Sequence, residues 1–449
     1  MNFYNPTVPN LQQMSFVMIA VKICNDQEVK ALMKKYGHAS FLIPSKEMHI
    51  FLHKELPQYT PSPKTYGLLI HEYEDIFCSN VSNSMYYYGI SNPVLYHHWN
   101  EHRFVENILP CMMWEELISK KISSLPLPNS MKWKLMPLVR CICIEMEKWQ
   151  KDHKDIFQFQ STDFQRNFCW NSQGRIDRVK TAKSLINDES LCITERYHLA
   201  RLYFFVSDII SLGNKLDPLA LFGVKEGYDH DEYNKKLWFF YMKTKTDEYL
   251  NRICRTSVCH PYNLRAYFSF FTPSEKTELL KLFMHNKSLN HEDLYLCLSQ
   301  LEKNEQELIL RLYSYEILQY YLVWPLQNEF LDVLKSLWPF ISIEKCIDIL
   351  CFIIYERIMI GWKDFDYVWL LKEFWRQTPN NFKELLKNHE VYQNLLPVIS
   401  YELDNSFPNE VILENYKEND LKFHHVRIKY HISKMTNLIN SWSFRKRII

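Results

Sequence analysis

The sequence predicts an all-α protein, and two observations support that prediction. Only 8 glycines occur among 449 residues, far below the usual share of about 7 %. Tight hairpin turns and phosphate-binding loops depend on glycine, so its scarcity favours helices and argues against Rossmann and P-loop chemistry. Apolar residues recur at intervals of three and four, whereas runs that alternate apolar and polar residues are scarce. We therefore expect nearly the whole chain to be helical.

One helical segment occurs twice in the chain. FLDVLKSLWP begins at Phe330 and YVWLLKEFWRQTP begins at Tyr367, and the alignment matches Trp338 with Trp375. Repeats of about 30–45 residues are the length of one helical hairpin, and such a hairpin buries its apolar face only by stacking on its neighbours. The repeat predicts stacked antiparallel helical hairpins that form an α-solenoid.

Clusters of proline and polar residues divide the chain into three predicted regions. Residues 1–125 form an N-terminal helical region, and residues 131–404 form the array of helical hairpins. Residues 405–449 contain a polar loop followed by a basic helix. Solenoids need a polar cap at their ends, so we predict that this C-terminal helix caps the array.

Part of the array resembles degenerate ankyrin repeats. The segment from Gly174 to Ile186 has a glycine where the turn between the two helices of such a repeat would lie. Further along, His198-Leu199-Ala200 is similar to the end of the T-P-L-H-x-A signature of that family. The stretches 11–25 and 195–205 also look like a large, mostly uncharacterised arthropod family of helical proteins. These resemblances imply a helical-hairpin fold and bring no activity with them.

Charge and cysteine usage bound the class of protein. The chain has 53 Lys and Arg against 52 Asp and Glu, so no overall field attracts nucleic acid or an acidic membrane. Its 12 cysteines are scattered singly, as in proteins of reducing compartments. No N-terminal basic segment leads into an apolar run, and no window is apolar enough to span a bilayer. We expect a cytoplasmic protein without a membrane partner.

One motif could hold a metal ion. His98, Glu101 and His102 form an H-x-x-E-H stretch, and this spacing resembles that of inverzincin metalloproteases, in which a helix presents both histidines to zinc. A zinc-dependent hydrolase is therefore an alternative function. Among 17 histidines a chance match of this kind is ordinary, so we predict no metal, no cofactor and no catalytic residue.

Two features could contact a partner. Trp362 follows a glycine in a predicted turn and is a candidate exposed anchor. Arg445, Lys446 and Arg447 end the basic C-terminal segment, which could bind an acidic protein surface or, as a less favoured alternative, nucleic acid. The favoured function is a non-catalytic protein–protein interaction scaffold that binds a partner protein or peptide on a solenoid face. The sequence leaves the partner and the oligomeric state open.

Overall fold

The chain is mostly helical, which confirms the sequence prediction at that level. The computed structural model describes residues 11–53, 66–77, 95–106, 108–154, 156–157, 164–216, 264, 268–285, 289–402, 407–416, 418, 420–425 and 428–434. Within these residues lie seventeen α-helices and one four-stranded antiparallel sheet. None of the described helices is long and apolar enough to cross a membrane.

The first half of the chain contains eight helices and the first two strands. In chain order these are α1 (Leu11–Cys24), α2 (Gln27–Tyr36), α3 (Ser45–His53), β1 (Tyr66–Phe77), β2 (Leu95–Glu106), α4 (Pro110–Ser123), α5 (Asn129–Asp152), α6 (Arg178–Asn187), α7 (Ile193–Leu202) and α8 (Val206–Gly213).

The second half contains nine helices and the last two strands. These are α9 (Pro273–His285), α10 (His291–Ser299), α11 (Lys303–Tyr320), α12 (Phe330–Leu337), α13 (Ile343–Cys351), α14 (Tyr367–Gln377), α15 (Asn380–Leu386), α16 (Val391–Ser400), α17 (Glu410–Asn415), β3 (Asp420–His425) and β4 (Ile428–Lys434). A π-helix, Phe352–Ile358, continues α13.

Helix α5 is the central helix of the N-terminal half. Its 24 residues carry a face of buried apolar side chains that includes Val139, Ile142 and Trp149, and this face packs on α1. Burial of such a stripe is the main source of helix stability in proteins. Residues at both ends of α5 therefore have fixed positions relative to the core.

Helices α9 to α16 pack mainly on their neighbours along the chain. Helix α11 contacts both α9 and α13, and α13 in turn contacts α16. The two copies of the repeated segment begin their helices at equivalent residues, since Phe330 opens α12 and Tyr367 opens α14. The rings of Phe330 and Phe374 lie 6.3 Å apart and join these two helices.

Side chains in this array donate hydrogen bonds to backbone carbonyls of the preceding hairpin. The hydroxyl of Tyr313 donates to the carbonyl of Lys281 (3.0 Å), and Lys345 Nζ donates to the carbonyl of Leu312 (2.8 Å). Donor and acceptor residues are 32 and 33 positions apart in these two bonds. The separation is close to the repeat length that the sequence predicts.

One small sheet accompanies the helices and corrects the prediction of a C-terminal capping helix. Its strand order is β2-β1-β4-β3, and β1 pairs with β4 so that Ile70 lies opposite Ile432. Two strands thus come from the predicted N-terminal helical region and two from the predicted basic capping helix, and a helix at residues 420–434 was a wrong prediction. The physical reason is a period of two, because Leu421 and Phe423 are buried while Lys422, between them, is not.

The H-x-x-E-H stretch lies on β2. In the backbone register, His98 pairs with Glu74, Glu101 with His71 and His102 with Ile70. The zinc motif requires a helical turn that brings residues three and four apart to one face, whereas a strand repeats every two residues. The helical presentation of both histidines that the alternative zinc-dependent hydrolase requires is therefore not present at these residues.

Buried polar contacts attach the sheet to the helices. Glu72 on β1 contacts His38 (2.6 Å) and Lys151 on α5 (2.8 Å), and the Tyr430 hydroxyl on β4 lies 3.4 Å from Lys151 Nζ. At the far edge, the backbone N–H of His424 donates to Glu356 on the π-helix (2.7 Å). One continuous apolar core then runs from α1 to β4.

Candidate functional site

Two neighbouring cavities lie between α5 and the hairpin array. Each has a free volume of about 50 Å³, several times the 10–15 Å³ that one water molecule needs. Lys148, Arg175, Val323 and Arg357 line both cavities and therefore mark their junction. The first cavity also contacts Glu145, Trp324, Trp362 and Asp364, and the second contacts His291, Glu316, Tyr320 and Phe352.

A tight turn positions Arg175. The side-chain oxygen of Asn171 accepts hydrogen bonds from the backbone N–H groups of Gln173 (3.0 Å) and Arg175 (2.9 Å). Gly174 adopts φ +82°, a backbone conformation that side chains disfavour. The turn brings the Arg175 guanidinium to the carbonyl of Trp324, which accepts a hydrogen bond at 3.4 Å.

Arg357 is the most deeply buried cation of the site. Its side chain is on the π-helix and is 3 % exposed. Its Nη1 and Nε donate to the carbonyls of Glu356 (2.9 Å) and Leu322 (3.4 Å), and its guanidinium lies over the ring of Phe352 at 4.3 Å. In the part of the chain that the structure describes, no carboxylate lies within ion-pairing distance of Arg357.

Asp364 is held in place through one of its two carboxylate oxygens. Its Oδ2 accepts hydrogen bonds from the amide of Gln327 (2.7 Å) and the hydroxyl of Tyr367 (3.2 Å). Its Oδ1 is buried and has no partner among the described residues. Burial raises the pKa of Asp364, although the positive charge of Arg357 opposes this change. One oxygen of a fixed carboxylate is therefore available to a donor.

Lys148 is a cation in an unfavourable environment. Burial, together with the nearby guanidiniums of Arg178 and Arg175, lowers the pKa of Lys148 to about 8. Within the described ranges its ammonium has neither a hydrogen bond nor an ion pair. Burial and Arg175 also lower the pKa of His291 to about 3, so His291 is neutral at pH 7.

The walls thus combine opposite charges that do not pair with one another. Among the described residues, none of the following six forms a direct ion pair: Lys148, Arg175, Arg357, Glu145, Glu316 and Asp364. Like Asp364 Oδ1, the Glu316 Oε2 atom is buried without a partner in this part of the chain. Buried polar atoms need hydrogen-bond partners from protein, water or ligand. The arrangement can therefore bind a small charged molecule.

The residues proposed from the sequence occupy different places. Trp362 is 9 % exposed and its ring lies 5.6 Å from the Arg357 guanidinium, so the prediction of an exposed anchor was wrong. Arg445, Lys446 and Arg447 lie outside the described residues. His98, Glu101 and His102 share β2, and the described residues contain no group of three or more potential metal ligands.

Sequence reasoning missed the cavity. The sequence contains one signal of a buried charge. The run from Cys351 to Ile360 is apolar except for two adjacent charged residues, Glu356 and Arg357. A charge in such a run is buried when its helix is buried, and a buried charge needs a specific partner. The other cavity residues come from distant segments that only the fold brings together.

The fold and the site define a mostly helical protein with a small antiparallel sheet and two charged cavities that are partly open to solvent. No protein-family model matches the chain, and comparisons with curated proteins and with solved structures give no match.

Proposed function

We propose that this chain is a non-catalytic binding protein whose interior cavities hold a small charged molecule. The observation that supports the proposal is the set of six charged side chains around the cavities, which form no direct ion pairs among the described residues. A charge that is removed from water without an ion-pair partner is unfavourable, and Arg357, at 3 % exposed, is the most buried of the six. Charge-assisted hydrogen bonds to a ligand are strong because they satisfy these groups directly.

Analysis of small molecules that co-purify with the protein tests this proposal. The full chain is purified, denatured, and its released small molecules are identified by mass spectrometry. We expect a charged molecule at near one-to-one ratio from the wild type and much less of it from Arg357→Met. Lys335→Met serves as the matched control, because Lys335 is an exposed cation on α12. Equal amounts from wild type and Arg357→Met would contradict the proposal.

A protein-interaction scaffold is a second candidate function. The neighbour-to-neighbour packing of α9 to α16 supports an α-solenoid with ankyrin-like repeats, and Leu308 and Leu312 are 41 % and 46 % exposed on one face of α11. Such a pair of exposed leucines is a candidate anchor for a partner protein or peptide.

Substitution on α11 tests the scaffold function. We expect the double variant Leu308→Glu and Leu312→Glu to lose partners that the wild-type chain retains in a quantitative affinity capture. The control is Leu385→Glu, which changes an exposed leucine on α15. If the double variant and the control lose the same partners, or if both retain them, the α11 face is not the binding surface.

The state of the cysteines supports a cytoplasmic location as part of this proposal. The described residues contain nine cysteines and all are free thiols. The Sγ atoms of Cys24 and Cys143 lie only 3.5 Å apart in the core without a disulfide. Unlinked thiols at such proximity are typical of proteins in reducing compartments.

A further inference from the structure

We infer that the ligand of the two cavities is a small zwitterion of the α-amino-acid class, with its carboxylate at the cation junction and its ammonium at Asp364. The inference rests on the proposed function and specifies the ligand. It follows from where the charges lie along the two cavities.

The three cations border both cavities, whereas each of the three carboxylates borders only one. Lys148, Arg175 and Arg357 line both cavities, whereas Asp364 lines only the first and Glu316 only the second. A ligand that satisfies both kinds of group needs an anionic and a cationic end within a few atoms of each other. An α-amino acid has this arrangement, because one carbon joins its carboxylate to its ammonium.

The balance of charge argues against a simple anion. Three cations and three carboxylates surround the cavities. A phosphate or a plain carboxylate would satisfy the cations but would lie close to Asp364 and Glu316, and like charges at short range repel. A zwitterion keeps the total charge of the site unchanged on binding and satisfies groups of both signs.

Asp364 is placed to accept a hydrogen bond from the ammonium group of the ligand. Gln327 and Tyr367 hold its Oδ2 and leave Oδ1 without a partner in the described part of the chain. An ammonium group has three donors and no acceptor, which suits a carboxylate with a vacant oxygen. Because Asp364 is already oriented, binding requires little reorganisation.

The cavity walls also offer space for a small apolar side chain. Trp324 and Trp362 lie beside Asp364 in the first cavity, and Phe352 lies beside Arg357 in the second. The free volume of about 50 Å³ in each cavity fits a compact molecule. Aromatic walls around a few fixed polar groups are typical of small-molecule sites.

Calorimetric titration of the full chain with defined probes tests the inference. The probes are glycine, L-alanine, L-leucine, L-glutamate and L-lysine, together with butyrate, butylamine and inorganic phosphate. We expect at least one amino acid to bind, and butyrate, butylamine and phosphate, which lack its ammonium, its carboxylate or both, to bind at least about tenfold more weakly. The inference is overturned if no amino acid binds more tightly than butyrate, butylamine and phosphate.

Two variants separate the roles of the charged groups. Asp364→Asn, which preserves shape, should weaken amino-acid binding at least about tenfold, whereas butyrate binding should not weaken and should become tighter as the repulsion is removed. Arg357→Met should weaken both. Asp332→Asn and Lys335→Met are matched controls, because these residues form an exposed ion pair on α12. If Arg357→Met does not fold, the Asp364→Asn comparison alone decides the outcome.

The outcomes distinguish the inference from the proposed function. If phosphate or butyrate binds as tightly as any amino acid, and Asp364→Asn has no effect, the ligand is a plain anion. The inference then fails and the proposed function survives. If no probe binds and no small molecule co-purifies with the wild-type chain, both are overturned.

Discussion

At the scale of single residues, Gly174 connects the sequence to the candidate site. The resemblance to ankyrin repeats implies a turn between two helices at Gly174. In the structure Gly174 lies between Trp170 and Ile176, which form an isolated β-bridge just before α6. A Cβ atom at Gly174 would lie 2.5 Å from the Cη2 atom of Trp324. Glycine is therefore required here both by its φ of +82° and by the close approach of Trp324, which lines the first cavity.

Gly174→Ala should destabilise the protein by about 2–5 kcal/mol, because left-handed strain costs about 1–2 kcal/mol and overpacking about 1–3 kcal/mol. Gly37→Ala is the matched control, since Gly37 has φ +56° but nothing within 4 Å of the added Cβ. Gly37 has ψ −143°, a conformation that glycine adopts far more readily than other residues, so we expect about 1–3 kcal/mol for that control. Unfolding in urea measures both values, and equal losses would refute the role of the contact with Trp324.

At the scale of elements, the sequence predicted helices well where apolar spacing and proline agreed. Pro339 and Pro379 each lie two residues beyond the last residue of α12 and α14, as expected for residues that cannot continue a helix. The sequence did not predict β1 and β2, because these strands contain few alternating apolar residues. Their pairing in the sheet stabilises them more than their own pattern does. The paired strands β3 and β4 do contain an alternating pattern, and the prediction of a basic capping helix did not take it into account.

The aligned tryptophans should stabilise the array. Trp338 packs on Phe374 (ring centroids 5.7 Å apart) and Phe382 (6.3 Å), and Trp375 packs on Tyr392 (6.0 Å), so each contacts the next helices in the chain. We expect Trp338→Ala and Trp375→Ala each to lower the free energy of unfolding by about 3 kcal/mol, near the lower limit for such truncations.

Trp133→Ala provides the control for this prediction. Trp133 lies on α5 and is 64 % exposed. Its truncation should therefore lower the free energy of unfolding by no more than about 0.5 kcal/mol. Urea denaturation of the three variants gives the comparison. Losses at Trp338 and Trp375 no larger than the loss at Trp133 would show that these side chains do not hold the hairpins together.

At the scale of the whole molecule, the sheet joins the two ends of the chain. Ile70 on β1 and Ile432 on β4 are paired although hundreds of residues separate them, and no local pattern in the sequence specifies such a partner. No local pattern in the sequence specifies the candidate site either, because Lys148, Arg175 and Asp364 each resemble an ordinary surface charge in their own segment. Only the folded arrangement makes them neighbours of one cavity.

The charged contacts between the sheet and the helices predict a dependence of stability on pH. His38 faces Glu72 on β1, Glu147 and Lys151 on α5, and Tyr430 on β4. Burial opposes the charged form of His38, but Glu147 and Glu72 outweigh burial and raise its pKa. Glu72 is the closer partner, at 2.6 Å against 3.9 Å for Glu147. The pKa values of Lys151 and Tyr430 are both raised, so neither group titrates near neutral pH.

The sign of the effect follows from the raised pKa of His38. A raised pKa in the folded state gives stabilisation that is complete below the unfolded value of about 6.5 and is lost as pH rises through the folded value. The free energy of unfolding of the wild type should therefore exceed that of His38→Gln most at about pH 6, and the difference should shrink towards about pH 9. His285→Gln, which changes an exposed histidine at the end of α9, is the matched control for loss of a histidine side chain. Urea denaturation across this pH range measures the difference in the free energy of unfolding. A difference that stays constant or grows with pH would show that protonated His38 does not stabilise the contact between the sheet and the helices.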